Sequence, residues 1–484
     1  MTFAARMICV LAGTFVSVAG FAQLPDCVDN SHSKYFPPLI NQKGGSCAQA
    51  SAIGYMFTYE MNLLLDRDAS ASAANRFSYQ YTYNLVNEGK DNGSFGWDGL
   101  TLAAANGIIT EEDWPESGVS SFKWASGYQK YYNAAHYKVK TFNTLNINKW
   151  SDLTAVKQYL YDENQSGRPG GVVVFSTKAT NWVIDNSYSG PSGTGYHSIL
   201  TKLATEGGHA LTIAGYDDLV EFTTPDGSVS KGAFIVVNTW GTYSHDNGRF
   251  YLPYWFFFNN PGSLYLSSNV TYIVPSYQEP EIVFKVGVEC DSRDDLSFKL
   301  GVSGNPDDKQ PVHNMQVKIA DHQGGDIPMQ GYWWPSDIEF GFDFSSVAHI
   351  VDGYETPSYF LTIERAARGK EAATVANLIS FEVYDYRLSR NMPVVETFHM
   401  RGQEKIALES GNNVFGMKTP APVRFSCTPV EWLSSQTGQP VSAPLVMRTA
   451  DGKYVKIRFE DYDRESGTIR MKYIYNPNGG TDLR

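Results

Sequence analysis

The chain has 484 residues, which exceeds one compact core and predicts two or three domains. With 42% hydrophobic and 19% charged residues, the composition excludes a chain that is mostly disordered. A net charge of −12 without long basic runs argues against a nucleic-acid partner, and five cysteines are too few for a disulfide scaffold.

The N-terminus has the pattern of a secretory signal peptide. Arg6 gives a positive start, residues 7–18 are almost wholly apolar, and small residues precede Gln23. We therefore predict a signal over residues 1–22, cleavage near Ala22, and a mature protein that is secreted, periplasmic or at the cell surface. A retained membrane anchor is the alternative, although the apolar run is short for a membrane span and nothing later in the chain reaches one.

The region after the signal mixes helical and strand patterns. Apolar residues recur with helical spacing over residues 47–65, and Ser46, after two glycines, is the predicted N-cap. A second helix is predicted over residues 98–105, ended by Asn106 and Gly107. Strands are predicted over residues 171–175, 210–216 and 234–238, the last two joined by a turn at 225–227.

Residues from about 281 onward alternate apolar and polar positions in short runs, which indicates a β-sandwich. Clear strand patterns lie at residues 282–288, 315–319, 359–363, 455–459 and 468–473. Residues 273–280, with two prolines, suit a domain linker. The predicted divisions are a signal at 1–22, a first domain at 23–275, a β-sandwich (Ig-like) domain at 281–402, and a small β-rich domain or continuation of the sandwich at 403–484.

Three separated residues have the chemistry of a thiol acyl-transfer site. Cys47 begins the strongest helix, where unpaired N–H groups and the helix dipole are expected to favour the thiolate. His209 begins a strand, and Asn238 ends another, where its amide can bond one imidazole nitrogen and leave the second facing the sulfur. Trp240 is placed to cover that hydrogen bond. Cys, His and Asn in this order predict nucleophilic catalysis.

Four segments resemble papain-family cysteine peptidases. NQKGGSCA at residues 41–48 resembles the nucleophile segment, and GHALTIAGY at 208–216 resembles the histidine strand. NTWG at 238–241, followed by DNGRFY at 246–251, resembles the asparagine segment, and GIITEEDWP at 107–115 resembles a stretch between the two lobes. The matches span residues 36–258, and the layout is similar to secreted papain-like peptidases of Bacteroidetes-type bacteria with β-rich C-terminal extensions.

The resemblance implies an α+β fold, with a papain-like catalytic domain of a helical lobe and a β-barrel-like lobe, followed by all-β sandwich-like domains. It implies a secreted cysteine endopeptidase in which Cys47 is the nucleophile, His209 the base and Asn238 the residue that orients the ring. Gln42 matches the glutamine of the oxyanion hole, and Trp240 supports the histidine. No metal or cofactor is expected.

The expected partner is a protein or peptide substrate, and neither nucleic acid nor a membrane span is expected. Gly96, Trp97 and Gly208 are the predicted substrate contacts. The C-terminal β-domains are expected to bind a cell-surface or substrate partner. Because only residues 24–46 lie between Gln23 and Cys47, an N-terminal inhibitory segment is not expected.

Some positions depart from the family pattern. Gln42 is one residue closer to the nucleophile than in the family, and Asn41 has the family's spacing. Ala48 replaces an aromatic residue, two glycines replace a half-cystine, and Ser244 falls near the place of a second tryptophan. None of these changes removes a catalytic group.

Other interpretations remain open. Asp217 or Asp218 could orient the histidine in place of Asn238, as in transglutaminase-like enzymes, whereas His197 and His245 are predicted to be surface loop residues. The chain could be a catalytically retired binding or adhesion protein, or a Cys-His acyltransferase. Among the remaining cysteines, a disulfide between Cys290 and Cys427 is one expectation.

Overall fold

The computed structural model describes residues 24–115, 122–162, 169–260, 264–354, 357–368, 373–387, 390–391, 393–400, 402–418, 445–448, 454–463 and 468–476. The predicted signal peptide lies outside these ranges, as does Cys427 of the expected disulfide. Cys290 is buried, and its thiol donates a hydrogen bond to the carbonyl of Ser292 at 3.1 Å. In the described part of the chain, no helix combines the length and apolarity needed to cross a membrane.

The fold is α+β, as predicted, and most of its regular structure is in strands. The described α-helices are α1 Cys47–Gln49, α2 Thr58–Leu65, α3 Tyr79–Val86, α4 Gly96–Asn106, α5 Tyr128–Ala134, α6 Trp150–Asp162, α7 Trp255–Phe258 and α8 Ala348–Val351. A π-helical segment, Ala50–Phe57, joins α1 to α2, so one helical run extends from Cys47 to Leu65. α4 is the predicted second helix, and Gly107 ends it with a left-handed φ of 77°.

The strands confirm those predicted from the sequence pattern, with somewhat different ends. In order they are β1 Cys27–Asp29, β2 Tyr137–Asn146, β3 Val173–Lys178, β4 Val183–Asp185, β5 Ile199–Lys202, β6 Gly208–Thr223, β7 Val229–Val237, β8 Arg249–Pro253, β9 Asn269–Tyr277, β10 Ile282–Cys290, β11 Leu296–Ser303, β12 His313–Asp321, β13 Asp337–Asp343, β14 Ser358–Arg365, β15 Ala376–Asp385, β16 Val394–Thr397, β17 Ile406–Ala407, β18 Gly411–Lys418, β19 Leu445–Arg448, β20 Tyr454–Asp463 and β21 Thr468–Asn476.

The helical run from Cys47 to Leu65 is enclosed by the rest of the protein. Every residue from 48 to 63 is buried, so the segment has no solvent face over that length. Two of its polar side chains bond to distant parts of the chain: Ser51 Oγ donates to the Ala210 carbonyl at 3.0 Å, and Glu60 accepts from the Val172 N–H at 2.9 Å. Because an unpaired buried polar group costs about 1–3 kcal/mol, these bonds stabilise the enclosed run.

Nine strands form the sheet that carries the predicted catalytic residues. Its order is β2-β9-β3-β6-β7-β8-β5-β4, with β1 paired to β6, and the β5–β8 pair is parallel. β6 and β7 are antiparallel neighbours in which Thr212 lies opposite Val237. This register brings His209, near the start of β6, to the same end of the sheet as Asn238, which directly follows β7.

Strands β10 to β18 form two antiparallel sheets, which we call the C-terminal sheets. One has the order β13-β10-β15-β16 with β17 on β15, and the other has the order β12-β11-β14-β18. Phe284, Phe298 and Leu361 share one buried core. β17 and β18 lie beyond residue 402, so the first part of the tail continues these sheets, whereas β19–β21 form a separate three-stranded sheet.

The segment predicted as a linker is largely strand. β9 continues to Tyr277 in its pairing with β2, and Ile273 is only 1% exposed. Residues 278–281 connect β9 to β10. The domain boundary placed at 275 and 281 therefore stays a prediction, because ordered structure crosses much of the proposed connection.

The C-terminal sheets pack directly against the N-terminal part of the chain. The rings of Trp124 and Tyr131 lie 6.3 and 5.7 Å from the ring of Phe340. Arg293, 1% exposed, lies over Trp124 at 4.2 Å and donates to the carbonyl of Phe122 at 2.7 Å. Buried aromatic and charge-assisted contacts therefore join the two parts.

The ion pair between Lys138 of β2 and Asp343 of β13 should be important for stability, because the two side chains are only 10% and 2% exposed. Lys138→Met leaves a buried carboxylate unpaired, and we expect it to lower the free energy of unfolding by about 3 kcal/mol. Denaturant unfolding followed by tryptophan fluorescence measures this. The control is Lys231→Met, which removes an exposed partner of Glu221 and should change stability by less than about 1 kcal/mol. Equal losses would contradict the effect of burial.

Candidate active site

His209 and Asn238 form a hydrogen-bonded pair at one end of the nine-stranded sheet. His209 Nε2 lies 2.9 Å from Asn238 Oδ1, and both side chains are buried. The same oxygen accepts the backbone N–H of Thr239 at 2.8 Å. Because an amide oxygen only accepts, His209 Nε2 carries the proton in the neutral ring, and Nδ1 is the free proton acceptor.

Cys47 is the first residue of α1 and lines the same cleft as His209. Burial raises the pKa of the Cys47 thiol, while hydrogen bonds from the backbone of Ala210 and the side chain of Gln42 act in the opposite direction. The expectation that the helix start favours the thiolate is thus wrong in its net direction. Desolvation of the charged sulfur outweighs the helix end.

Burial also lowers the pKa of His209, and the hydrogen bond with Asn238 opposes that shift. A lowered imidazole pKa and a raised thiol pKa both favour the uncharged forms. The surroundings of each group thus favour a thiol at Cys47 and a neutral imidazole at His209, and a neutral imidazole can accept a proton.

Gln42 is positioned from two sides. Its Oε1 accepts a hydrogen bond from Thr239 Oγ1, and its Nε2 donates to the Gly44 carbonyl at 2.9 Å. It also hydrogen-bonds Cys47, which lowers the pKa of that thiol. Asn41 is exposed and pairs through its backbone with Trp240. The structure therefore brings Gln42, rather than Asn41, to the sulfur.

Two tryptophans cover the His209 ring. Trp240 stacks on it with ring centroids 4.7 Å apart, as the sequence predicts. Trp182, just before β4, meets the same ring edge-on at 5.9 Å and lies 5.3 Å from Trp240. The sequence pattern does not identify Trp182, because it lies far along the chain from every segment that resembles the family.

His245 is not the surface loop residue that was predicted. It is partly buried, and its Nε2 lies 3.1 Å from Asn238 Nδ2. His197, by contrast, is exposed, as predicted.

The two aspartates weighed as alternatives to Asn238 bond elsewhere. Asp217 accepts the backbone N–H groups of Gly193 and Thr194 at 2.8 and 3.0 Å, and Asp218 pairs with Lys157. These partners hold a loop and a helix, so neither carboxylate is the group that orients His209.

The site opens into a cleft of about 900 Å³. The three predicted substrate contacts, Gly96, Trp97 and Gly208, all line it. Trp97 is 59% exposed, and a side chain added at Gly208 would meet nothing within 4 Å. Apolar lining comes from the helical run that begins at Cys47 and from α4, through Ala48, Ala52, Met56 and Leu100.

Asp91 joins two loops that border the cleft near Cys47. Its carboxylate accepts the Gly45 N–H at 2.8 Å and the hydroxyl of Tyr83. A side chain at Gly44 would collide with this carboxylate, with a contact of 2.1 Å. Asp91 therefore ties the loop before Cys47 to the loop before α4, close to where the half-cystine of the family is missing. No sequence signal identified it.

Among the residues that the structure describes, no group of three or more His, Cys, Asp or Glu side chains is placed to hold a metal ion.

No protein-family model matches this chain, and no curated protein matches it. Among solved structures, it is similar to xylellain, a cysteine protease from Xylella fastidiosa, with 20% identity and a TM-score of 0.35 over 52% of this chain and 86% of that one. It is similar to the bromelain protease from Ananas comosus, with 15% identity and a TM-score of 0.34 over 52% of this chain and 100% of that one. It is also similar to procathepsin B from Trypanosoma congolense, with 13% identity and a TM-score of 0.36 over 53% of this chain and 79% of that one. Because these identities and TM-scores are low, the functional assignment rests on the residues described above.

The pKa of His209 should depend on the cover that Trp240 provides. Burial lowers this pKa, so removing the stacked indole in Trp240→Ala should raise it towards the ordinary value of about 6.5. The base would then become protonated at a higher pH during acidification. NMR titration of the imidazole measures the shift. Trp150→Ala, which removes an exposed indole stacked on Phe258, is the control and should leave His209 unchanged. Equal titration curves for all three proteins would contradict the role of Trp240.

Proposed function

We propose that the chain is a papain-like cysteine endopeptidase that hydrolyses peptide bonds through Cys47, His209 and Asn238. The observation that carries this proposal is the buried hydrogen bond of 2.9 Å between His209 Nε2 and Asn238 Oδ1, in a cleft that Cys47 also lines. This bond leaves Nδ1 of His209 as the acceptor for the thiol proton. The resemblance of four sequence segments to the papain family supports the same assignment, including its two-lobe catalytic domain.

In the proposed reaction, His209 takes the proton of Cys47 as the sulfur attacks the carbonyl carbon of the scissile bond. The resulting oxyanion accepts hydrogen bonds from the Gln42 amide and from the backbone N–H of Cys47. Gln42 Nε2 has two N–H groups: one is used by the Gly44 carbonyl, and the other bonds the Cys47 sulfur in the resting site and would turn to the oxyanion once the sulfur is bonded to the substrate carbon.

His209 then gives its proton to the leaving amine, and the C–N bond breaks to leave a thioester on Cys47. Water enters, His209 takes one of its protons, and the hydroxyl attacks the thioester. Collapse releases the carboxylic acid and returns the proton to the sulfur. Asn238 holds the ring through both transfers, and Trp240 keeps water away from that hydrogen bond.

The cleft is open enough for an extended peptide. We propose that Gly96, Trp97 and Gly208 contact its backbone and side chains, since Trp97 is exposed at the cleft wall and the surface over Gly208 is unobstructed. The apolar lining of Ala52, Met56 and Leu100 suits an apolar substrate side chain.

Covalent labelling tests the nucleophile. A thiol-directed epoxide should modify Cys47, and peptide mapping by mass spectrometry should find the label there. Cys47→Ala should abolish cleavage of a protein substrate such as casein and leave the thermal unfolding curve unchanged. Cys27→Ser is the matched control, because Cys27 is also a partly exposed free cysteine. The Cys27→Ser variant should still be labelled at Cys47 and should still cleave the substrate.

The outcomes separate the alternative functions. A folded protein in which Cys47 resists the epoxide would contradict a live thiol site and favour a retired binding protein. Labelling of Cys47 with no peptide cleavage, but with acyl transfer to an added amine, would favour an acyltransferase.

The Gln42→Ala variant should still be labelled at Cys47 but should cleave its substrate about 10²–10³-fold more slowly, on the order of the loss when one oxyanion donor is removed.

We also propose that the protein is exported, as the apolar N-terminal segment suggests. The C-terminal sheets would then present a surface to a cell-surface or substrate partner, as proposed for a layout similar to Bacteroidetes-type peptidases. Two exposed aromatic side chains in this part of the chain, Tyr332 at 55% and Trp333 at 78%, support a binding role.

N-terminal sequencing tests the proposed export: the sequence of protein recovered outside the cytoplasm should begin at Gln23. Recovery only in the cytoplasm with Met1 retained would contradict export.

A further inference from the structure

We propose that His245 is a positioning residue of the site. It accepts a hydrogen bond from the Asn238 amide and so keeps the Asn238 side chain oriented with its oxygen towards His209. The proposal builds on the proposed cysteine-peptidase function, because its effect on turnover has meaning only if Cys47 and His209 are catalytic. Its structural part, the hold on His209 through Asn238, is testable by itself.

The contacts of Asn238 form a chain with one consistent set of donors. Its Oδ1 accepts from His209 Nε2 at 2.9 Å and from the Thr239 N–H at 2.8 Å. The other end of the amide, Nδ2, can only donate, and it lies 3.1 Å from His245 Nε2. His245 Nε2 must therefore be unprotonated and accept. Both ends of the Asn238 side chain are thus occupied by partners that favour the same orientation.

The surroundings of His245 hold its ring in place. The ring lies 5.0 Å from Phe250 and 5.7 Å from Trp182, with both contacts edge-on. Its backbone has a φ of 53°, in the left-handed region that residues with a side chain seldom adopt. A conformation of that kind persists where the surrounding structure imposes it, and such positions cluster at functional sites.

The groups that face His245 keep it neutral. Two of them, Trp182 and Phe250, are apolar, and the third ring, Trp240, is 6.5 Å away. Burial lowers the pKa of His245, and the positive charge that His209 can carry lowers it further, to about 4. The neighbouring Asp246 instead accepts the N–H of His197 at 2.9 Å. An acceptor therefore faces Asn238 at neutral pH.

Replacement of His245 by Phe or Gln distinguishes a hydrogen-bond acceptor from simple packing. His245→Phe keeps a ring but has no acceptor, whereas His245→Gln supplies an amide oxygen. The first readout is the rate at which iodoacetamide alkylates Cys47 as a function of pH, which requires no peptidase activity. The second is the separate measurement of kcat and KM on a peptide substrate. His197→Phe is the matched control, because His197 is a loop histidine whose ring bonds the Tyr188 carbonyl and not Asn238.

We expect His245→Phe to slow alkylation below pH 7 and to lower kcat about tenfold with KM unchanged, far less than the ~10⁴ that follows loss of the direct orienting group of a catalytic histidine. His245→Gln should recover most of both losses, and His197→Phe should match the wild type. Superimposable profiles for His245→Phe and wild type would overturn the proposal, as would equal losses in the Phe and Gln variants.

Two further outcomes are decisive. If His245→Phe does not fold, the Gln and Met variants of the same position, of similar length, make the same comparison; failure of all three to fold would assign His245 a structural role and overturn the proposal. If the wild type cleaves no peptide but the alkylation profiles differ as expected, the proposed function fails while the positioning role of His245 stands.

Discussion

Burial of every residue from 48 to 63 within the helical run from Cys47 to Leu65 is the constraint on which the site depends. A helix with no solvent face must satisfy its polar side chains internally, and Ser51 does so by bonding the carbonyl of Ala210, the residue after His209. That bond joins the helical run that begins at Cys47 to the strand that carries His209. The same burial removes water from the sulfur and raises the pKa of the Cys47 thiol. The packing that places Cys47 next to the cleft thus also favours its neutral thiol form.

Cys47, His209 and Asn238 could be proposed as catalytic residues from the sequence because each lies in a short, distinctive segment. Cys47, His209 and Asn238 stand at the ends of a helix or strands, where local pattern and residue type coincide. Trp182 and Asp91 could not be found in this way, since they contact His209 and Gly45 from segments that are distant in the chain. His245 lies only seven residues after Asn238, but its contact with that amide depends on how the loop between them folds back. The direction of the Cys47 pKa shift was missed for a related reason: a helix start is visible in the sequence, but the desolvation that opposes it is a property of the packed cleft.

Contacts between distant segments, which the sequence does not show, also explain why the segment at residues 273–280 was predicted as a linker. Alternating patterns identified most strands, but the prolines at residues 275 and 280 suggested a linker where β9 in fact continues. Pro275 is tolerated because it pairs at the irregular part of the β2–β9 ladder, opposite Val139, where regular hydrogen bonding is already interrupted. The contacts of Trp124, Tyr131 and Lys138 with the C-terminal sheets show that the parts of the chain on either side of this segment share buried surface. A separation drawn at residue 275 would expose those side chains to water.

The carboxylate of Asp91 links two loops at the cleft by hydrogen bonds, and such a contact does not depend on redox conditions. A peptidase that acts through a free thiol works best under reducing conditions, and these are the conditions that open exposed disulfides. Hydrogen bonds from Gly45 and Tyr83 to a carboxylate do not react with thiols, so the loop before Cys47 remains tied to the loop before α4 while the sulfur is kept reduced. The chain can therefore pass between oxidising and reducing surroundings with the geometry of this contact unchanged.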